Sequence, residues 1–160
     1  MNKHAVLQLI LEKLSVDLDI AQRAAQTAYE TATHEENIAE NKYDTLGLEA
    51  SYLAAGQAKR VEEIKQSLTL CQNLQLRAYD DQRGIEVGAL VGLEDENGRQ
   101  QWLFLAPDAA GLKVEVVGQP VTVITPRSPM GNSLLGKFEG DEVEILVAGT
   151  RQHFTVTEAK

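Results

Sequence analysis

The densest run of groups able to do chemistry lies in the first third of the chain, where the sequence reads H-E-E-N-I-A-E-N-K-Y-D from His34 to Asp44. Glu35, Glu36, Glu40 and Asp44 crowd four carboxylates into that stretch. Carboxylates concentrated at one place can carry negative charge into a cation-rich site. The same residues have a purely structural reading. Asn37 followed three residues later by Glu40 is a helix N-terminal capping arrangement, in which each side chain satisfies a backbone N–H of the first turn. Other reactive residues are scattered. His4, His34 and His153 have no Cys or His at metal-ligand spacing, and the lone Cys71 can form neither an internal disulfide nor a zinc cluster.

The elements that must position these carboxylates are legible in the hydrophobic period. Leu7, Leu11, Leu14, Leu18, Ala21, Ala25, Ala28 and Ala32 recur at alternating spacings of four and three, the seven-residue repeat of a coiled-coil seam. The repeat resumes with Tyr43, Gly47, Ala50, Ala54, Gln57, Val61, Ile64, Leu68 and Cys71. No proline occurs before Pro107, so both segments are predicted as long helices. A reversal near residues 34 to 38 is expected, with Ala21 and Ala25 facing Ala50 and Ala54, and Leu7, Leu11 and Leu14 facing Ile64, Leu68 and Cys71. Small residues opposite small ones explain this mirror order through an antiparallel intramolecular hairpin, a monomeric arrangement. A parallel homodimer would not need it. Roughly 30 residues per arm make a finger on the order of 45 Å long.

The second half changes period. Gly84 to Leu93 and Gln101 to Leu105 flank the turn Glu96-Asn97-Gly98 and predict a β-hairpin. Leu112 to Val117, Val121 to Ile124, the alternating Val143, Ile145 and Val147, and Gln152 to Thr157 add further strands. Ser128 to Leu135 suits one or two helical turns. The expected fold is α+β: a coiled-coil hairpin over residues 1–78, then a small antiparallel sheet of about five strands with one short helix over residues 79–160. Trp102, Phe104, Phe138, Phe154 and Cys71 are expected in the cores.

Bulk charge narrows the function. The chain carries 15 basic and 24 acidic side chains, a net charge of -9. Phosphate contacts need concentrated Lys and Arg, which argues against a free-standing nucleic-acid binder. The first apolar run is broken by Gln8 and Glu12, which fits neither a signal peptide nor a membrane span. A soluble, reducing, cytoplasmic setting is the expectation.

The segment from Ile124 to Ile145 reads I-T-P-R-S-P-M-G-N-S-L-L-G-K-F-E-G-D-E-V-E-I. Its Ser128-Pro129 pair, the run Leu134-Leu135-Gly136-Lys137 and Gly140-Asp141-Glu142-Val143 closely resemble the C-terminal domain of the GreA/GreB transcription elongation factors. Glu40-Asn41 and Ala54 to Gln57 look like the second helix of that family. The resemblance implies an FKBP-like C-terminal domain that docks on bacterial RNA polymerase, with Arg127, Ser128, Pro129 and Met130 as docking candidates. It implies a coiled coil inserted through the secondary channel, whose tip helps hold a second Mg²⁺ in the polymerase's own active centre and stimulates cleavage of backtracked RNA. Such a factor has no catalytic residues of its own, binds no cofactor stably, shares Mg²⁺ with the polymerase, and meets the nascent RNA 3′ end only within the elongation complex.

On that resemblance the tip candidates are Glu40, Glu36, Asn37, Asp44 and Glu35, with Glu36 and Glu40 as the expected Mg²⁺ ligands. The family tip reads D-x-x-E-N, and Asn37 stands where the family has Asp. A neutral amide is a poorer Mg²⁺ ligand than a carboxylate. A secondary-channel binder without cleavage activity, modulating or inhibiting transcription, is therefore the alternative. Leu48 stands where the family has a basic residue, and Arg127 where it often has Asp or Asn. Lys42, Lys59, Arg60 and Lys65 read as solvated helix-face charges. Two readings from other classes compete: a prolyl isomerase, which the low aromatic content disfavours, and a scaffold that self-associates through its coiled coil.

Overall fold

The computed structural model describes residues 1–38 and 45–160, and of residues 35–38, 45 and 46 it describes the backbone alone. Two long helices come first, α1 (Lys3–Ile38) and α2 (Thr45–Gln72). Six strands and a short helix follow: β1 (Leu90–Asp95), β2 (Gln100–Leu105), β3 (Lys113–Val116), β4 (Gln119–Ile124), α3 (Pro129–Leu134), β5 (Glu142–Val147) and β6 (Thr150–Ala159). The chain divides into two compact units. One comprises residues 1–12 with 69–160, the other residues 13–68.

The unit of residues 13–68 is built on the heptad seam. Leu14, Ala21, Ala28 and Ala32 of α1 are buried, as are Gly47, Val61 and Ile64 of α2, while most positions between them are exposed. Ala21 packs with Val61 and Ile64, flanked by Leu18 and Ala25. Alanine on one helix lets the other approach closely, and the branched Val61 and Ile64 fill the space that remains. In the other unit the side chain of Lys3 reaches the carbonyl of Arg77. In each unit, then, an earlier residue of α1 meets a later part of the returning chain, and the pairing is antiparallel.

The direction agrees with the sequence expectation, but the register does not. Ala21 meets Val61 and Ile64 rather than Ala50 and Ala54. Residues 34 to 38, expected to hold the reversal, are the last turn of α1. That helix has 36 residues, not about 30. A heptad repeat dictates which face is buried, but a row of alanines matches equally well after sliding by one repeat, so it does not set the offset.

In the unit of residues 1–12 and 69–160 the strands form a single sheet in the order β3-β4-β2-β1-β6-β5. It has six strands rather than five, and it is not wholly antiparallel: β2 and β4 run parallel, Leu103 opposite Thr122 and Leu105 opposite Ile124. The chain turns after β2, runs back along β3, and the β3–β4 hairpin then inserts β4 against β2. The expected first strand from Gly84 is shorter and starts at Leu90, because Ile85 exchanges backbone hydrogen bonds with Gly136 and Lys137 and lies outside the ladder. The hairpin turn at Glu96 to Gly98 stands as expected, with Asp95 Oδ1 accepting from the amides of Asn97 at 2.8 Å and Arg99 at 2.9 Å.

Both sheet faces are buried. One carries Val91, Leu93, Leu103, Leu105 and Val156, packed with Leu134 of α3 and Phe154. Leu90, Phe104, Val121 and Val123 point the other way, and all four are fully buried. Val6, Ile10 and Cys71 are buried in the same unit. Phe104 and Phe154 thus sit in the core as expected, whereas Trp102 and Phe138 are only partly buried. No described helix is long and apolar enough to cross a membrane.

Candidate functional site

Two places merit a functional reading: the acidic stretch between the helices and the loop that leads into α3. The backbone of residues 35–38 closes α1, and α2 begins at Thr45. Asn37 is therefore in the last turn of the first helix and is not an N-cap of the second, which corrects the capping reading. Glu40, Asn41, Lys42 and Asp44 lie outside the described residues, as do the side chains of Glu35, Glu36 and Asn37. Among the described residues no group of three or more His, Cys, Asp or Glu is placed to hold a metal ion.

The α3 loop is described in full. Ser128 caps α3 with an extended backbone, and its Oγ accepts from the amide of Gly131 at 3.1 Å. The same hydroxyl donates to the carbonyl of Thr125 at 2.8 Å. Pro129 opens the helix, where its missing N–H is no loss and its fixed φ suits the first turn. Gly131 sits so close to the Thr125 carbonyl that a Cβ there would overlap it. Met130 is half-buried and packs against the core beside Leu134. Arg127 points outward, and its Nη2 meets Asp108 Oδ1 at 3.0 Å. Of the four docking candidates, Ser128 and Met130 thus have structural tasks, while Arg127 and Pro129 present exposed surface. Ser128→Ala is expected to cost about 1 kcal/mol, read as a lowered denaturant midpoint, because it leaves the Gly131 amide without its cap.

The rest of the motif is scaffolding with a physical reason at each position. Gly136 has φ 76° and donates to the Ile85 carbonyl at 2.8 Å, tying the end of α3 to the segment before β1. Gly140 has φ 89° and donates to the Val156 carbonyl at 2.7 Å. Asp141 Oδ2 accepts from the amide of Phe138 at 2.9 Å, closing the turn that starts β5.

The end of α2 meets the loop between β2 and β3. Cys71, at the end of α2, is fully buried beside Asp108. Burial, and then the Asp108 carboxylate, push its thiol up to about 11. Thiolate is the reactive form, so at pH 8 only about one molecule in a thousand carries it. Iodoacetamide is expected to label Cys71 slowly in the native protein and rapidly once denaturant unfolds it, as mass spectrometry would show. Lys3 is also buried, and desolvation holds its ammonium below the usual lysine range.

Sequence reasoning missed one surface feature. Leu48, Tyr52 and Leu53 of α2 and Tyr29 of α1 are strongly exposed. The signal was present, since all four fall outside the seam positions.

No protein-family model matches the chain. It is 27% identical over 97 residues to the transcription elongation factor GreA of Jannaschia sp. (strain CCS1), covering 61% of this chain and 58% of that protein. It is 27% identical over 103 residues to the GreA of Alkalilimnicola ehrlichii, covering 63% and 61%. The chain thus spans about three fifths of the length of these curated relatives. Among solved structures, GreA factor homolog 1 of Thermus thermophilus is 21% identical, with 94% of each chain covered and a TM-score of 0.39.

Proposed function

We propose that this chain, a divergent member of the GreA/GreB family, is a transcription elongation factor that binds bacterial RNA polymerase and passes the far end of its hairpin into the secondary channel. The observation that carries this reading is the packing of Ala21 with Val61 and Ile64, which makes α1 and α2 one antiparallel finger. The acidic run from Glu35 to Asp44 spans, in sequence, the last turn of α1 and the residues before α2. At about 1.5 Å per residue the 36 residues of α1 extend roughly 54 Å.

At the polymerase active centre the chemistry is two-metal phosphoryl transfer, which needs anionic oxygens near the more weakly held ion. Glu36 and Glu40 are the groups proposed to supply them, with Glu35 and Asp44 adding to the local field. Mg²⁺ favours such hard oxygen ligands and keeps part of its water shell, so one or two added carboxylates suffice. The polymerase performs the cleavage, and this chain lends the ligands. The Ser128–Met130 loop, with the exposed Arg127 and Pro129, is the proposed docking edge on the polymerase.

Asn37 favours a second reading, in which the finger occupies the channel without recruiting metal and so modulates or inhibits transcription. One experiment separates the two. Backtracked elongation complexes are incubated with Mg²⁺ and the native chain, Glu40→Ala or Asn37→Asp. Metal recruitment predicts transcript shortening by the native chain, its loss with Glu40→Ala, and acceleration on the order of tenfold or more with Asn37→Asp. Shortening by Asn37→Asp alone identifies a channel binder that lacks one ligand. If no variant shortens the transcript and the chain does not co-purify with polymerase, both readings fall.

A further inference from the structure

We infer that the outer face of α2 around Leu48 and Tyr52 is a contact surface for an apolar recess on a basic protein wall, which the reading above makes the wall of the polymerase channel. Leu48 and Tyr52 are four residues apart and therefore share one face of the helix. They are 53% and 69% exposed, while Gly47 beside them is buried in the seam. Tyr29, at 62%, comes level with the segment around Leu53 in the register defined by Ala21, Val61 and Ile64. A solvated helix face needs no such side chains. Tyrosine and leucine that stay exposed, one turn apart, are the composition of a protein contact.

Charge decides what covers this face. Between residues 24 and 58 the carboxylates of Glu30, Glu35, Glu36, Glu40, Asp44 and Glu49 stand against the single lysine Lys42. Three cations nearer the base of the finger are engaged: Arg23 with Asp19 at 3.2 Å, Arg60 with Glu63 at 3.9 Å, and Lys65 with Glu62 at 3.6 Å. The distal half is therefore net negative as well as apolar. Nucleic acid is repelled by it, and so is a second copy of the same half. A surface rich in Lys and Arg with an apolar recess is attracted and can bury the tyrosine rings, which snorkel their hydroxyls to the rim. Where the family pattern has a basic residue, Leu48 thus exchanges a charge for an apolar anchor.

The test uses the full-length chain and the double variant Leu48→Gln with Tyr52→Gln, which keeps helix-forming residues at exposed positions. Binding of labelled chain to core RNA polymerase is followed by fluorescence anisotropy, with circular dichroism confirming unchanged helix content. The expected result is affinity weakened about 30-fold, the effect of removing a hot-spot pair. Native binding that the double variant leaves unchanged overturns the inference while the proposed function stands. If the native chain does not bind polymerase at all, the proposed function falls and the inference with it. An equal loss of affinity for a single-stranded RNA oligonucleotide, or a native dimer that the variant dissolves, also overturns it, because the face would then belong to RNA or to a second copy.

Discussion

Gly131→Ala is expected to lower the melting temperature by roughly 6–12 °C, because it should remove about 3 kcal/mol of stability. The added methyl group would overlap the carbonyl oxygen of Thr125, and neither group is the end of a flexible side chain. Relief requires the α3 turn to lift away from Thr125. That movement would break the Ser128 bond to Thr125 and the Ser128 cap on Gly131 together, and would withdraw Leu134 from the core. The single tryptophan, Trp102, lies on β2 within the same compact unit and reports on it. Its fluorescence transition should move to lower temperature with the substitution. An unchanged Trp102 transition would show that the α3 turn adjusts at no cost, and the account of the motif as tight scaffolding would be wrong.

The second large effect is expected in the other unit. Ile64→Ala removes a nearly fully buried side chain from a cluster in which Ala21 and Ala25, beside Leu18 and Val61, are too small to close the gap. A loss of about 2–4 kcal/mol follows from the missing burial and the cavity left behind. The helical signal in circular dichroism should then melt well before the Trp102 fluorescence changes. The order distinguishes the two substitutions: Gly131→Ala moves the tryptophan signal first and Ile64→Ala the helical one. Coincident shifts in both signals for Ile64→Ala would mean that the chain unfolds as one cooperative body.

Much of this was legible before any coordinates. The seven-residue repeat picked out Leu14, Ala21, Ala28, Ala32, Val61 and Ile64, and all are buried. Burial follows from period, and period is written in the residue types. The departures come where the sequence leaves a choice. Val6 and Ile10 are more deeply buried than the seam residues Leu7 and Leu11. The start of α1 belongs to the sheet-containing unit, and a two-helix pattern does not foresee that neighbour. The parallel β2–β4 pair was equally hidden. Alternation identifies strands but is blind to which edge a later hairpin joins.

The site was legible in a different sense. Ser128, Gly131, Gly136, Gly140 and Asp141 stood out as a motif, and each has a local duty of cap, close approach or turn. A motif of this kind marks how a surface is held, and the exposed Arg127 and Pro129 are what it holds. The tip carboxylates were readable only as composition and spacing. The exposed Val16, Ile20, Tyr29, Leu48, Tyr52 and Leu53 all fall outside the repeat, which directs attention to the positions that obey it.

The order of synthesis follows from the way the units divide. Residues 13–68 are complete, both arms included, while β6 has yet to leave the ribosome. The sheet-containing unit needs that late strand in the interior of its sheet, between β1 and β5, and also includes residues 1–12. The opening turns of α1, with the buried Val6 and Ile10, therefore belong to a unit whose sheet is complete only after β6 has emerged.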